Sequence, residues 1–306
     1  MDSVIRIVCL LGVVCSIVTI SLNLNLVVKI VMKRSKRKED MMLFYYRFVM
    51  DILFGFALLA FMIFVILVME YPTILDYHRH FIIYLSLPWS NLAACRSIIA
   101  LSISTERFLA AYFPIAYRTG KCTLPHGIVL SLAISFGLSE ELVLFGFCAY
   151  DFSIPPTCKA FGCAVNKCFY SFWTIHKAVI FFIIAILSIL LTIRLYIWKT
   201  VKEQSKTNSQ VSKANRLALL QTVTVLVFDF IPSFCGSISN WQIFNFDFIG
   251  PYIAVGKVTG CAIEAVVVSS LLVFHRSKKS DATISSGAQH TRFWKSSMSS
   301  KQVITL

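Results

Sequence analysis

In the stretch STERFLAAYFPIAYR, Ser104 to Arg118, a carboxylate and a guanidinium stand side by side as Glu106 and Arg107, at the end of a long apolar run. A proline, Tyr117 and Arg118 follow. An arginine at the edge of an apolar medium is costly when unpaired, and an adjacent carboxylate offsets that cost. Such a pair can act as a latch that holds Arg107 in one state and frees it for a partner in another; the alternative is a snorkelling anchor at an interface. Other charges lie inside apolar runs: Asp51, Arg96 and Glu264, Asp229 just before Pro232, and Glu140, Glu141 and Lys257. The histidines (His78, His80, His126, His176, His275 and His290) are scattered in loops or near helix ends. Metal-dependent hydrolysis needs histidines clustered with other ligands. No catalytic residue, metal or cofactor is therefore expected, and the protein reads as a non-enzyme whose charges do ion pairing and ligand capture.

The elements that carry these residues follow from composition. The chain has 306 residues, 57% of them hydrophobic, only 14% charged and 26 of them phenylalanine, with a mean hydropathy of +0.75. That is more apolar surface than a soluble core can hide. Runs near the roughly 20 residues needed to cross about 30 Å of hydrocarbon occur seven times: Ile7 to Met32, Met42 to Met69, Phe81 to Phe108, Pro125 to Ala149, Phe172 to Trp198, Leu217 to Asn240 and Pro251 to Phe274. The first is too long for a signal-peptide core, lacks a small-residue cleavage site and runs into KRSKRK, so it reads as a span that stays. The fold class expected is an all-α membrane protein, a seven-transmembrane helix bundle. Residues 1–6 read as a short extracellular N-terminus, 7–274 as the membrane domain and 275–306 as a disordered, Ser/Lys-rich cytoplasmic tail.

The net charge of +14 is concentrated after the odd-numbered runs. Lys33, Arg34, Lys36, Arg37 and Lys38 follow the first, Arg107, Arg118 and Lys121 the third, Lys199, Lys202, Lys206, Lys213 and Arg216 the fifth, and Arg276, Lys278 and Lys279 the seventh. The positive-inside rule then puts the N-terminus outside and the tail inside. Because the basic residues are split among loops without an aromatic platform, contact with membrane lipid is expected and nucleic-acid binding is not. Four of the ten cysteines, Cys148, Cys158, Cys163 and Cys168, fall in one loop on the oxidising side. Disulfides within the loop are expected, and its four cysteines allow three pairings.

At about 1.5 Å of rise per residue, Arg96 stands roughly 16 Å above Arg107, Asp51 roughly 13 Å and Glu264 roughly 15 Å above their own cytoplasmic ends. Three charges thus share one level near the bilayer midplane, where a buried ionic cluster of Asp51, Arg96 and Glu264 is expected, either as packing glue or as a signalling switch. Pro232 frees a carbonyl, so Asp229 and Pro232 read as a hinge. Lys257 lies higher, roughly 26 Å up, level with Glu140 and Glu141 at roughly 23 Å. A cation there without a fixed carboxylate is a seat for an acidic ligand; the alternative is snorkelling to the outer interface. Lys257, Glu140, Glu141 and His176 are the candidate ligand-binding residues.

The segment ERFLAAYFPIAYR resembles the DRY-x(5)-P-x-x-Y-R pattern of rhodopsin-like G-protein-coupled receptors, with Glu106, Arg107 and Phe108 in the leading places. The stretch FGCAVNKCFYSFWTIHK, Phe161 to Lys177, is similar to the second extracellular loop and fifth helix of the nematode serpentine chemoreceptors, especially class BC. The resemblance implies a chemosensory receptor that binds a small molecule in the outer half of the bundle and activates a heterotrimeric G protein through Glu106, Arg107, Tyr117 and Arg118. It also implies odorant or acidic, ascaroside-like pheromone ligands and residence in the cell membrane of sensory-neuron cilia. Span six has FDFIPS and span seven GCAIEAVVVSS where the rhodopsin-like pattern has other switch motifs, and Ile82 stands about where a cysteine is usual. With that cysteine missing, the loop cysteines are expected to pair among themselves. A membrane transporter or channel is the alternative function, but it should show paired halves and interrupted helices, which are not visible here.

Overall fold

The computed structural model describes residues 2–32, 42–119, 125–152, 154–155, 158–201, 219–237 and 249–270, and among these the chain is helical with no strand. The long helices are α1 (Asp2–Met32), α2 (Met42–Glu70), α3 (Phe81–Tyr112), α4 (His126–Glu141), α5 (Lys167–Val201), α6 (Leu219–Phe234) and α7 (Tyr252–Ser270). Among the described residues, five stretches are long and apolar enough to cross a membrane: Ser3–Lys29, Met42–Glu70, His126–Phe147, Lys167–Ile197 and Tyr252–Ser270. The expectation of seven spans thus meets five that qualify by length and apolarity. The other two are α3 and α6. Helix α3 is 32 residues long but spends its middle on Ser86, Ser90, Asn91, Arg96 and Ser97, all buried, whereas α6 is apolar over Leu219–Phe234 and is flanked by 202–218 and 238–248, which lie outside the described residues.

Helix α1 begins at Asp2, ahead of the run read from Ile7, so the described residues 2–6 are helical. The basic stretches at 33–38 and 202–216, the tail at 275–306, Lys121 and Cys122 lie outside the described residues. The chain divides into two units. The first, Met1–Ala265, holds everything discussed below. The second, from Val266 onward, is described only over 266–270, which are helical.

The first unit buries a set of charges within an apolar core and also turns apolar side chains outward. Ile7, Phe56, Leu132 and Phe182, on α1, α2, α4 and α5, are 66, 55, 60 and 65% exposed. Arg47, Asp51, Arg96, Glu106, Arg107, Glu140, Lys177, Asp229, Lys257 and Glu264 are all buried. In water so large an apolar exterior would aggregate. In hydrocarbon it faces its own kind, and helices answer the demand that every backbone N–H and C=O be satisfied within the chain.

Helix α3 packs on α2, α4 and α5, and α1 packs on α2. The approach of α4 to α3 depends on Gly137. A Cβ at this position would overlap Cys95 Sγ and lie 2.8 Å from the Asn91 carbonyl, so only glycine permits this spacing. On α6, Pro232 cannot donate to the Phe228 carbonyl one turn back, and Val225–Phe230 widens into a π-turn. Gly256 of α7 fits against that carbonyl, where an added Cβ would be 3.2 Å from the oxygen.

Two breaks position the polar groups. At one end of α3, Pro114 pushes Phe113 out of the helical region (φ −122, ψ 59), as proline does to the residue before it, and a short helix, Pro114–Arg118, folds back. At the other end of the bundle, α4 closes in a π-turn, Leu142–Phe147, and the chain enters a loop tied by Cys148–Cys168 and Cys158–Cys163. This selects one of the three pairings open to the sequence. Asn166 caps α5: its side chain accepts from the Phe169 N–H at 3.0 Å and donates to the Cys148 carbonyl at 2.7 Å. Tyr150 donates to the Ala164 carbonyl at 2.6 Å. The loop's short helix, Phe161–Ala164, seats Phe161 against Trp89, Phe169 and Trp173, with ring centroids 5.6 to 6.0 Å apart.

Candidate functional site

Near the disulfide end, two glutamates of α4 reach α3 by different routes. Consecutive helical residues point about 100° apart, so Glu140 and Glu141 take different partners. Ser90 donates to Glu140 Oε2 at 2.6 Å, and Asn91 donates to Glu141 Oε1 at 2.7 Å. The indole N–H of Trp173 on α5 donates to Ser90 Oγ at 2.8 Å, which continues the chain Trp173–Ser90–Glu140. A carboxylate 1% exposed needs a counter-charge. Lys177 Nζ supplies it at 3.2 Å from Glu140 Oε1, and His176 Nε2 approaches the same oxygen at 3.3 Å. His176 Nδ1–H donates to the Phe172 carbonyl at 2.7 Å, and the imidazole stacks on the Phe172 ring.

Lys257 is buried rather than extended toward the end of its helix. Its ammonium lies 5.3 Å from the centroid of the Trp173 ring, and that of Lys177 lies 3.9 Å from the same ring. Trp173 therefore gathers two cations on its π-surface. Asp229, in the π-turn of α6, is within electrostatic reach of Lys257 and Arg96, and its carbonyl accepts from Ser233 at 2.7 Å. Beside Trp173 lies a small apolar recess lined by Trp89, Ala160, Phe161, Gly162, Pro251, Ile253 and Ala254.

The middle level holds two ion pairs. Arg96 donates from Nε to Asp51 Oδ1 at 2.5 Å, with its guanidinium 4.8 Å from the Phe54 ring centroid. Glu264 is engaged by Arg47, whose Nη2 donates to Oε2 at 2.6 Å. The pairs feel each other: Asp51 acts on Arg47, and Arg96 acts on Glu264. Helix rise brought Asp51, Arg96 and Glu264 to one level but omitted Arg47, the direct partner of Glu264. The signal for it was present, since Arg47 is four residues before Asp51 and so shares its helix face. Lys177 and Trp173 were likewise not named as site residues, although they are four apart on α5.

At the far end of α3, Glu106 accepts from Tyr117 at 2.6 Å and from Arg107 at 3.4 Å. Both Glu106 and Arg107 are 4% exposed, and Arg107 lies 5.9 Å from the Phe44 ring centroid. Pro114 is what returns Tyr117 to Glu106. Tyr112 donates to the Leu190 carbonyl of α5 at 3.1 Å, tying the two helices beside this group. The side chain of Arg118 lies outside what is described. Among the described residues no three His, Cys, Asp or Glu side chains are grouped to hold a metal ion.

Exposed apolar helix faces around buried, paired charges define a multi-pass helical membrane protein. Residues 1–276 match the model of the family described as serpentine type 7TM GPCR chemoreceptor Srbc, and the chain belongs to this nematode receptor family. No curated protein matches the chain. Membership gives it a sensory, signalling role among receptors that are not enzymes, with ligand-type and G-protein-type partners.

Proposed function

We propose that this receptor crosses the membrane seven times with its N-terminus outside, binds a small molecule among Trp173, Lys257, Glu140, Glu141 and His176, and activates a heterotrimeric G protein through the Glu106 end of α3. The family match over residues 1–276 carries this reading. The orientation is supported by the basic residues of the sequence and by two disulfides in the α4–α5 loop, which belong on an oxidising side. A buried site with aromatic walls and a few polar groups has the character of small-molecule pockets. At the opposite end, Arg107 is held by Glu106 and released when α3 and its neighbours part. The tail at 275–306 follows inside the cell, and membrane lipid surrounds the bundle.

The test is expression in a reporter cell with a panel of odorants and small acids, reading second messengers. A response that disappears with Arg107→Ala at unchanged surface expression supports the reading. A ligand-gated current that persists without any G protein would replace it with a channel.

A further inference from the structure

Two cationic side chains meet at one oxygen of Glu140. Oε1 has Lys177 Nζ at 3.2 Å and His176 Nε2 at 3.3 Å, whereas Oε2 is taken by Ser90. None of Oε1, Nε2 and Nζ is in an aligned hydrogen bond, so Lys177 holds this oxygen by charge alone. The Phe172 carbonyl can only accept, so its 2.7 Å contact fixes a ring proton of His176 on Nδ1. A neutral imidazole of that tautomer turns the bare lone pair of Nε2 toward the lone pairs of Oε1. One more proton converts the contact into a charge-assisted hydrogen bond. The His176 side chain is also the accessible one, 11% exposed against 1% for Glu140 and 2% for Lys177. The other ionisable groups around it have their own places. Glu141 of α4 accepts from Asn91 of α3, the buried Cys95 thiol of α3 lies within reach of the Glu140 charge, and Asp229 of α6 and Lys257 of α7 act on Lys177. The Phe136 and Phe172 rings wall the imidazole.

Resting on the receptor reading above, which puts this end of the bundle outside, we propose that the site takes a proton from the outer solution: it binds at His176 Nε2, the new N–H pairs with Glu140 Oε1, and the Lys177 ammonium is displaced toward Asp229. The Nδ1 proton stays on the Phe172 carbonyl. A proton needs no cavity, and the recess beside Trp173 has room for about one water molecule. With Glu140, Asp229, Lys177 and Lys257 ionised, the group is neutral before the proton arrives and carries one surplus positive charge afterwards. Lys177 is the member that gives way, because its ammonium already lies 3.9 Å from the Trp173 ring centroid and feels Asp229. Asp229 sits in the π-turn of α6, a local widening of the kind found at functional sites, so the displaced charge is felt on that helix. External acidity thereby becomes an input to the receptor.

The experiment titrates the full-length receptor in nanodiscs between about pH 8 and pH 5, the range in which imidazoles change charge, and reads intrinsic tryptophan emission. The Trp173 indole contacts the Lys177 ammonium and donates to Ser90, so it reports the displacement, and Trp173→Phe assigns the signal to it. Wild type is expected to show a transition in this range and His176→Gln to lose it. His78→Gln and His80→Gln, between α2 and α3, should keep it. In reporter cells, lowering the external pH over the same range should change the basal signal of wild type and leave that of His176→Gln flat. A flat wild-type emission curve, which needs no variant to fold, overturns the proposal. So does a transition that survives His176→Gln, or a basal signal that ignores pH on both sides of the membrane. If external acid has no effect while acidifying the cytoplasm shifts the signal through His176, the proton site stands and the outward placement of this end falls.

Discussion

Arg47 of α2 and Glu264 of α7, 217 positions apart in the chain, meet at 2.6 Å with both side chains buried. Beside them Arg96 and Asp51 form a second contact at 2.5 Å. The two pairs join α2 to α7 and α2 to α3, and each charge is tolerable only because its opposite is present.

Removing one partner leaves the other uncompensated, at a cost of about 3–5 kcal/mol. Arg47→Leu or Arg96→Leu alone should therefore lower surface delivery and the unfolding temperature of the purified receptor. Arg47→Leu combined with Glu264→Leu should recover much of the loss, because a neutral pair of similar volume leaves no buried charge. Surface biotinylation and thermal unfolding read both effects. Single variants as stable as wild type would show that these ion pairs do not hold the bundle.

The Glu106 group makes a prediction about resting activity. Tyr117→Phe removes the 2.6 Å hydrogen bond to Glu106, and Glu106→Gln removes the charge that holds Arg107. Both should raise the ligand-independent signal in a reporter cell, Glu106→Gln more, by shifting population toward the released state. Arg107→Ala should abolish signalling at normal surface expression. An unchanged basal signal in both of the first two variants would return Arg107 to an anchoring role.

Tyr150 in the disulfide loop gives a pH test outside the membrane spans. Burial, with a smaller contribution from the Asp151 charge, pushes its phenol from the ordinary value near 10 up to about 12. A raised value means that the folded loop favours the neutral phenol. Its contribution is thus fully present below about pH 10, and it declines as the pH rises toward 12. Tyr150→Phe should remove one late-titrating tyrosine from the phenolate absorbance curve. It should also cost about 1 kcal/mol, the usual net value of a hydrogen bond such as that to Ala164. A difference curve centred at the ordinary tyrosine value would contradict the buried placement.

What could be read from the chain alone was whatever depends on one dimension. A bilayer demands apolar runs of a certain length, so the spans are written as composition. Helix rise is constant, so the shared height of Asp51, Arg96 and Glu264 follows from counting. The end of α3 before Pro114 and the disturbance before Pro232 fall where proline removes a backbone donor, but Pro88 sits inside α3 without ending it, so a proline marks where a break can occur and packing decides whether it does. Partner choice is different, because it depends on the rotation of each helix about its axis and on how closely its neighbours come. Counting could not tell that Glu264 faces Arg47 instead of Arg96, that Lys177 takes Glu140 and leaves Lys257 over Trp173, or that Cys148 reaches Cys168 and not one of the nearer cysteines. Those outcomes rest on packing, such as the approach of α4 to α3 that Gly137 allows beside Cys95 and Asn91, and short-range contacts between distant segments exist only once the bundle has closed.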